Sequence, residues 1–401
     1  MGWADPASYS QSDAELAALL PVFFSKRLRE LAKGYQGLWN TIEDDPLAVH
    51  SGGVATFMQY AKMSPQAAST TLTQGVNPDP TDMVTGKISV SVVEKGGVVA
   101  IPSLTRQTII DGAEKVAQVV STWGNETMER HVAEILSAYL SMIRVDGDGT
   151  YEDDSATTSL GGTVVLINDT GRTEATNSWA GGLATITDPY AGTFGEACYV
   201  ASNIQNTSVT VTGGFSAVLL SGTKYHISIP TGITTGDSLT LTGVRLAQKF
   251  LRKNGCMGPG WELDGGGYNI VLDPVTEADI QASLISAFTY KPNETVERKY
   301  PDRGMIAMCR PTITTIPFRS ATTGAGTYAA TGAVHYTPVF GKNCLAKLPL
   351  ENMGLKVLYK SEDSGGTSNP GNRFSTHFWG YTGAFLKRNM AAGCNIMSVE
   401  S

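Results

Sequence analysis

The sequence predicts an α+β chain in which a helical arm, a long two-stranded β excursion and one long helix precede a mixed α/β body, with a small all-β domain inserted after the helix. Three observations carry this prediction. A helical period runs from about Thr108 to Met142, runs rich in β-branched residues recur on both sides of it, and between Asp146 and Asp237 the composition turns to Thr, Ser and Gly. With 401 residues, 41% of them hydrophobic, the chain can bury a core in each of two or three compact units.

Residues 1–50 read as the arm. Ser12-Asp13-Ala14-Glu15 is a capping box, in which the Ser hydroxyl and Glu carboxylate satisfy exposed helix-start amides. Apolar residues from Leu16 to Leu38 keep helical spacing, and Pro21 splits the run into two short helices because it lacks an amide donor. Residues 51–105 read as the excursion: Val54 to Tyr60 and Lys87 to Ala100 alternate or run apolar, and the turn-rich Thr70 to Pro80 between them cannot be helix. Residues 106–145 carry the long helix, with Val116, Val120, Trp123, Val132, Leu136, Tyr139 and Leu140 on related faces and Gly124-Asn125 as the point where it is expected to bend.

Residues 146–237 read as the all-β insert, with strand-like runs at Thr163 to Ile167 and Ser208 to Thr212. Residues 238–401 complete the body. There Leu241, Val244, Ala247, Phe250 and Leu251 mark a helix closed by Asn254-Gly255, strands are expected at Tyr268 to Leu272, Val334 to Phe340 and Gly354 to Tyr359, and a helix is expected from about Glu277.

The charge is unevenly placed. The chain carries 30 bases and 37 acids, a net of −7; ten of the acids but only Arg172 and Lys224 of the bases fall in 146–237, so the insert is strongly acidic and the remainder nearly neutral. No basic excess is available to neutralise phosphates over a wide surface. A segregated negative field belongs away from DNA, so the insert is expected to face solvent. The N-terminus has no basic and apolar leader, and no apolar run reaches the roughly 18 residues that span a bilayer, which predicts a soluble protein made in the cytoplasm.

Signatures of catalysis do not appear. There is no H-E-x-x-H and no G-x-S-x-G, and Gly86-Lys87 is followed by Ile88 and preceded at the Walker spacing by Thr81. His50, His131, His226, His335 and His377 are dispersed, as are Cys198, Cys256, Cys309, Cys344 and Cys394, which read as free thiols of a reducing compartment. Asp146 to Asp154 offers carboxylates at alternate positions but has Tyr151 where a Ca²⁺ loop of the EF-hand type needs Gly, and it reads as a solvated acidic linker. Gly265-Gly266-Gly267 and Gly324-Ala325-Gly326-Thr327 do not complete a dinucleotide fingerprint and read as flexible loops. The expectation is a non-enzymatic protein with no catalytic, cofactor-binding or metal residues.

Several strings, in order, resemble the major capsid proteins of tailed bacteriophages, in particular the podophage type. They are Leu72-Thr73-Gln74-Gly75-Val76-Asn77-Pro78, with Gln74 where an acid is usual, and Glu94-Lys95-Gly96-Gly97-Val98-Val99 before the long helix. Tyr268 to Pro274 with Asp279, Val339 to Ala346 and Phe378 to Phe385 follow, the last without a common Lys. The resemblance covers about 14–145 and 238–401 and skips the insert.

The resemblance implies the Hong-Kong-97-type phage capsid fold. Residues 1–50 would be the N-terminal arm, 51–105 the extended loop, 106–145 the spine helix and 238–401 the rest of the central (axial) and peripheral domains. It implies a virion shell protein assembled in the bacterial cytoplasm. Its partners would be copies of itself in hexamers and pentamers, a portal, scaffold or cement proteins, and packaged double-stranded DNA touched without specificity. No membrane is involved. On that reading the arm and loop bury apolar faces only on assembly, leaving both partly disordered in the isolated subunit. Two other classes stay open: a bacterial protein-cage (encapsulin-like) subunit, separated by enzyme cargo in place of DNA, and a secreted β-rich adhesin or carbohydrate-binding protein, which the missing leader opposes.

Overall fold

The computed structural model describes residues 37–47, 53–63, 82–102, 112–145, 151–152, 157–171, 175–228, 237–256, 267–288, 306, 309–313, 334–351, 354–361 and 373–399. The capping box, the helices expected before residue 37, the Leu72 to Pro78 string, His50 and most of the Asp146 to Asp154 run lie outside them, as do the two glycine loops apart from Gly267.

A single helix, α1 (Gly112–Tyr139), runs through Gly124 without a break. The expected bend is replaced by a packing role, because a Cβ on Gly124 would sit 3.0 Å from the Trp379 ring. The helix buries Val120, Met128, Val132, Leu136 and, just past its end, Leu140. Each contributes about 1.5–3 kcal/mol as it leaves water.

Beneath α1 lies a five-stranded sheet built on the long strand β19 (Phe374–Lys387), which pairs antiparallel with β4 (Val93–Pro102), β17 (Leu345–Pro349) and β18 (Lys356–Lys360). Gly383 faces Val93 on one side and Pro349 on the other, so β17 and β18 share one edge of β19 and β4 takes the opposite one. Strand β1 (Glu43–Asp44) adds in parallel to β17.

The excursion differs from its expected extent. β2 (Val54–Tyr60) and β3 (Thr85–Ser91) pair residue for residue as a two-stranded hairpin. The run expected from Lys87 to Ala100 divides at Val92, and its second half is β4 of the main sheet.

The six-stranded sheet of the body has the order β15 (Cys309–Ile313), β14 (Tyr268–Leu272), β16 (Val334–Phe340), β20 (Gly393–Val399), β5 (Ser141–Val145), β6 (Tyr151–Glu152). Helices α2 (Leu241–Lys253) and α3 (Pro274–Phe288) flank it. Thr240 caps α2 by accepting from the Gly243 amide, and Gly255 takes the left-handed turn (φ +71) expected of Asn254-Gly255. α3 begins earlier than Glu277 because Asp273 accepts from the Thr276 amide and Pro274 opens the first turn.

Strands β7 (Thr157–Leu160), β8 (Gly162–Thr163), β9 (Leu166–Asn168), β10 (Leu183–Ile186), β11 (Ala197–Ile204), β12 (Ser208–Val211) and β13 (Ser221–Ser228) form a separate seven-stranded sheet. Its apolar cluster, including Ile167, Trp179, Val209, Phe215, Tyr225 and Ile227, draws on no buried residue outside this stretch. The strand expected over Thr163 to Ile167 is a tight turn. The carbonyls of Val164 and Val165 accept the Phe215 and Val211 amides, which holds the chain reversed between β8 and β9.

Candidate assembly interface

Residues 38–45 are fixed to the body of the same chain. Glu129 of α1, 1% exposed, accepts the amides of Leu38 (2.7 Å) and Trp39 (3.3 Å). Burial raises its carboxyl above the ordinary range, partly offset by these two amides. Trp39 then packs edge-on against Tyr381 and Phe385, with the Lys347 ammonium 4.8 Å from its ring centre. Arg388 holds Glu43 (3.2 Å) and Asp45 (2.6 Å), and Lys347 lies 3.7 Å from Asp44. A helical arm was expected over 1–50; its described part, residues 37–47, is a 3₁₀ turn and an added strand docked on the body.

The hairpin has two unlike faces. Ala55, Phe57, Ile88 and Val90 pack on Leu47, Ala346, Leu348, Ala384 and Leu386 of the same chain. Strand alternation turns Val54, Met58 and Tyr60 outward, where each is more than half exposed. The excursion was expected to bury its apolar residues only on assembly; its inner face is already covered.

A second uncovered apolar surface lies on the main sheet. Phe378 pairs with Val98 on one side and Leu358 on the other, putting the three in one row, and a Cβ on Gly96 or Gly380 would collide with the Phe378 ring. Val98 and Leu358 are 56% and 49% exposed. The opposite face carries Trp379, whose ring meets Trp123 of α1 edge-on at 5.7 Å, with Gly97 making room for both. Trp123, placed on the helix stripe by its spacing, is 44% exposed.

The dispersed polar residues serve the structure. His335 Nδ1 lies 2.6 Å from Asp273 Oδ2, with both side chains buried. Burial alone would raise the Asp273 carboxyl, but hydrogen bonds from His335 and Thr276 outweigh it and hold the pKa below 3.8. His226, His377 and His131 contact Phe250, Tyr359 and Phe385 respectively, so the described histidines do not share a site. All five cysteines are free, and burial pushes Cys256 and Cys309 up to about 12 and Cys198 up to about 11. Among the described residues no three His, Cys, Asp or Glu side chains gather as a metal site, and no helix is long and apolar enough to cross a membrane.

Solved phage capsids share this arrangement over nearly its whole length. The capsid of cyanophage P-SCSP1u matches with a TM-score of 0.52 at 11% identity, covering 94% of this chain and 93% of that one. The fold is that of a phage capsid protein. The capsid of Ralstonia phage GP4 matches with a TM-score of 0.51 at 11% identity, covering 100% and 98% of the two chains. The acid-stable capsid of Helicobacter pylori bacteriophage KHP30 matches at 0.51 and 9% identity, covering 100% of each. No protein-family model and no curated protein matches the chain. Among the described residues, the outer hairpin surface and the Val98-Phe378-Leu358 row are uncovered apolar faces of the body, and Leu160, Val218 and Leu220 are exposed around the seven-stranded sheet.

Proposed function

We propose that the chain is the major capsid protein of a tailed double-stranded DNA bacteriophage, assembling into the hexamers and pentamers of an icosahedral head. The observation that carries this reading is the extent of the capsid likeness, which covers 94–100% of this chain and 93–100% of the three capsid chains. The protein's work is then geometric and non-enzymatic, a set of repeated contacts that close into rings.

In this reading the β2–β3 hairpin is the extended loop and α1 the spine. The five-stranded sheet belongs to the peripheral domain, and the six-stranded sheet with α2 and α3 to the axial domain. The exposed Val54, Met58 and Tyr60 and the Val98-Phe378-Leu358 row are surfaces for other copies, since apolar patches of this kind are costly to leave in water. Residues 146–237 are an added domain on the outer, solvent side. Two observations support their being an addition: the sheet has its own core, and the chain leaves and returns at one end of β20, where Arg144 pairs with Met397 and the Asp237 carbonyl accepts the Val399 amide. The nearly neutral body suits contact with packaged DNA that is loose and sequence-independent. A portal and scaffold or cement proteins are the remaining partners, and the mature location is the virion.

The test is electron microscopy with size-exclusion chromatography on the purified chain, under conditions that promote assembly. Closed shells or capsomer rings are expected. A compact monomer under every condition would count against the proposal, and shells that package enzyme cargo in place of DNA in their native host would move it to the protein-cage class.

A further inference from the structure

The end of the hairpin farthest from β4 does not stand free. The Lys62 amide donates to the Pro189 carbonyl (2.9 Å) and Gln59 Nε2 donates to the Phe194 carbonyl (2.7 Å). A Cβ on Gly86 would overlap the Gly192 carbonyl oxygen, and one on Gly192 would lie 3.1 Å from the Thr85 carbonyl oxygen, so the two backbones are in direct contact. All these partners belong to one turn, Asp188 to Gly195, between β10 and β11.

That turn is itself held from three sides. Asp188, 8% exposed, accepts the Tyr190 amide on one oxygen and the Lys224 amide on the other. The Gly195 amide donates to the Ile186 carbonyl within the seven-stranded sheet. The Gly195 carbonyl accepts from the Met390 amide of the body, and Gly195 takes φ +79 with no room for a Cβ beside Asn389. The turn thus joins the seven-stranded sheet, the body and the hairpin at one point.

We propose that the Asp188 to Gly195 turn is a brace that holds the hairpin at a set angle in the single subunit, with Gln59, Gly86, Gly192 and Asp188 as its positioning residues. The hairpin's inner face is pinned at one end by the Leu47, Leu348 and Leu386 cluster and at the other by this turn. Two separated attachments fix an angle where one would act as a hinge. The outward Val54, Met58 and Tyr60 are then presented in a preset direction before any neighbour arrives. The brace concerns the isolated chain and does not depend on the capsid reading.

Hydrogen exchange with mass spectrometry on the full-length monomer tests it, following peptides over 53–63 and 82–91 against peptides over 197–228. Gln59→Ala removes one hydrogen bond without adding atoms, and it is expected to speed exchange in the hairpin peptides by about 2- to 10-fold while the 197–228 peptides keep their protection. Gly86→Ala forces the two backbones apart and is expected to give a larger increase in the same peptides. Hairpin exchange unchanged in Gln59→Ala overturns the brace, whether or not Gly86→Ala folds. Equal losses of protection in hairpin and 197–228 peptides of the folded Gln59→Ala chain also overturn it, because the effect would then belong to the seven-stranded sheet as a whole.

Discussion

Replacing Glu129 should release the segment that leads out of the N-terminal arm. In Glu129→Ala the Leu38 amide loses a charge-assisted bond of 2.7 Å and the Trp39 amide a weaker one of 3.3 Å, in a place where Leu38 is fully buried. The first bond is worth about 1.5–3 kcal/mol and the second about 0.5–1 kcal/mol. Removing a buried carboxylate returns part of this, since burial disfavours its ionised form. The net loss is about 2–3 kcal/mol, or roughly 30- to 140-fold in the equilibrium between docked and released segment. The assay is hydrogen exchange of a peptide covering 37–47. Asp45 and Leu47 are the informative amides, because their own acceptors, the Lys347 and Pro349 carbonyls, are untouched by the substitution. Unchanged exchange at those two amides would refute the reasoning, since it would mean that Arg388 and the pairing with β17 hold the segment unaided. The pH dependence adds a check of sign. With its pKa raised on folding, Glu129 contributes stability that is complete below 4.5 and lost as pH rises through the higher folded value, and Glu129→Gln should abolish that slope.

Two more expectations follow from buried titratable groups. Asp273 has its pKa lowered on folding, so its contribution is present above 3.8 and lost as pH falls through the lower folded value; urea denaturation across about pH 2 to 5 should show this loss, and Asp273→Asn should flatten it. The thiols should be inert in the folded chain, with Cys198, only partly buried, reacting slowly and first with a thiolate-directed reagent at about pH 8 and all five reacting once the chain is denatured; rapid modification of Cys256 or Cys309 before unfolding would contradict their raised pKa values.

The features legible in the sequence are those that local spacing encodes. The alternation of β2, the apolar period of α1, the Asn254-Gly255 close of α2 and the Thr/Ser/Gly-rich character of the seven-stranded sheet all come from neighbours a few residues apart. What escaped was set by residues distant along the chain. Nothing near Val92 marks the change of sheet, because β4 is defined by pairing with β19, nearly 300 positions later. Glu129 carries no local mark of its role, because the amides it accepts from, Leu38 and Trp39, lie 91 and 90 positions earlier. His335 and Asp273 meet across 62 residues. The packing roles of Gly86, Gly97, Gly124 and Gly192 were not legible, and Gly124 suggested a bend instead, since a glycine required by close packing looks the same in sequence as one in a turn. The acidity of 146–237 was legible, but its disposition was not: Asp169, Asp188 and Glu196 are occupied in accepting from Tyr225, Lys224 and Ser216, and so do part of their work inside the domain.

The neighbouring positions at which the chain departs from β5 and rejoins at Asp237 make the end of β20 a natural graft point. A module whose own termini lie close together could be exchanged there with little rearrangement of the six-stranded sheet. Such an exchange would not be free of consequence for the host. The Met142 amide would lose the Ser228 hydroxyl, Ser141 would lose Thr185, and the Ala138 carbonyl would lose the Tyr199 hydroxyl. The Met390, Lys62 and Gln59 donors would lose the Gly195, Pro189 and Phe194 carbonyls as well, so a successful graft would carry replacement polar groups for all six, and a bare linker would leave the end of α1, the edge of β5 and the far end of the hairpin open to water.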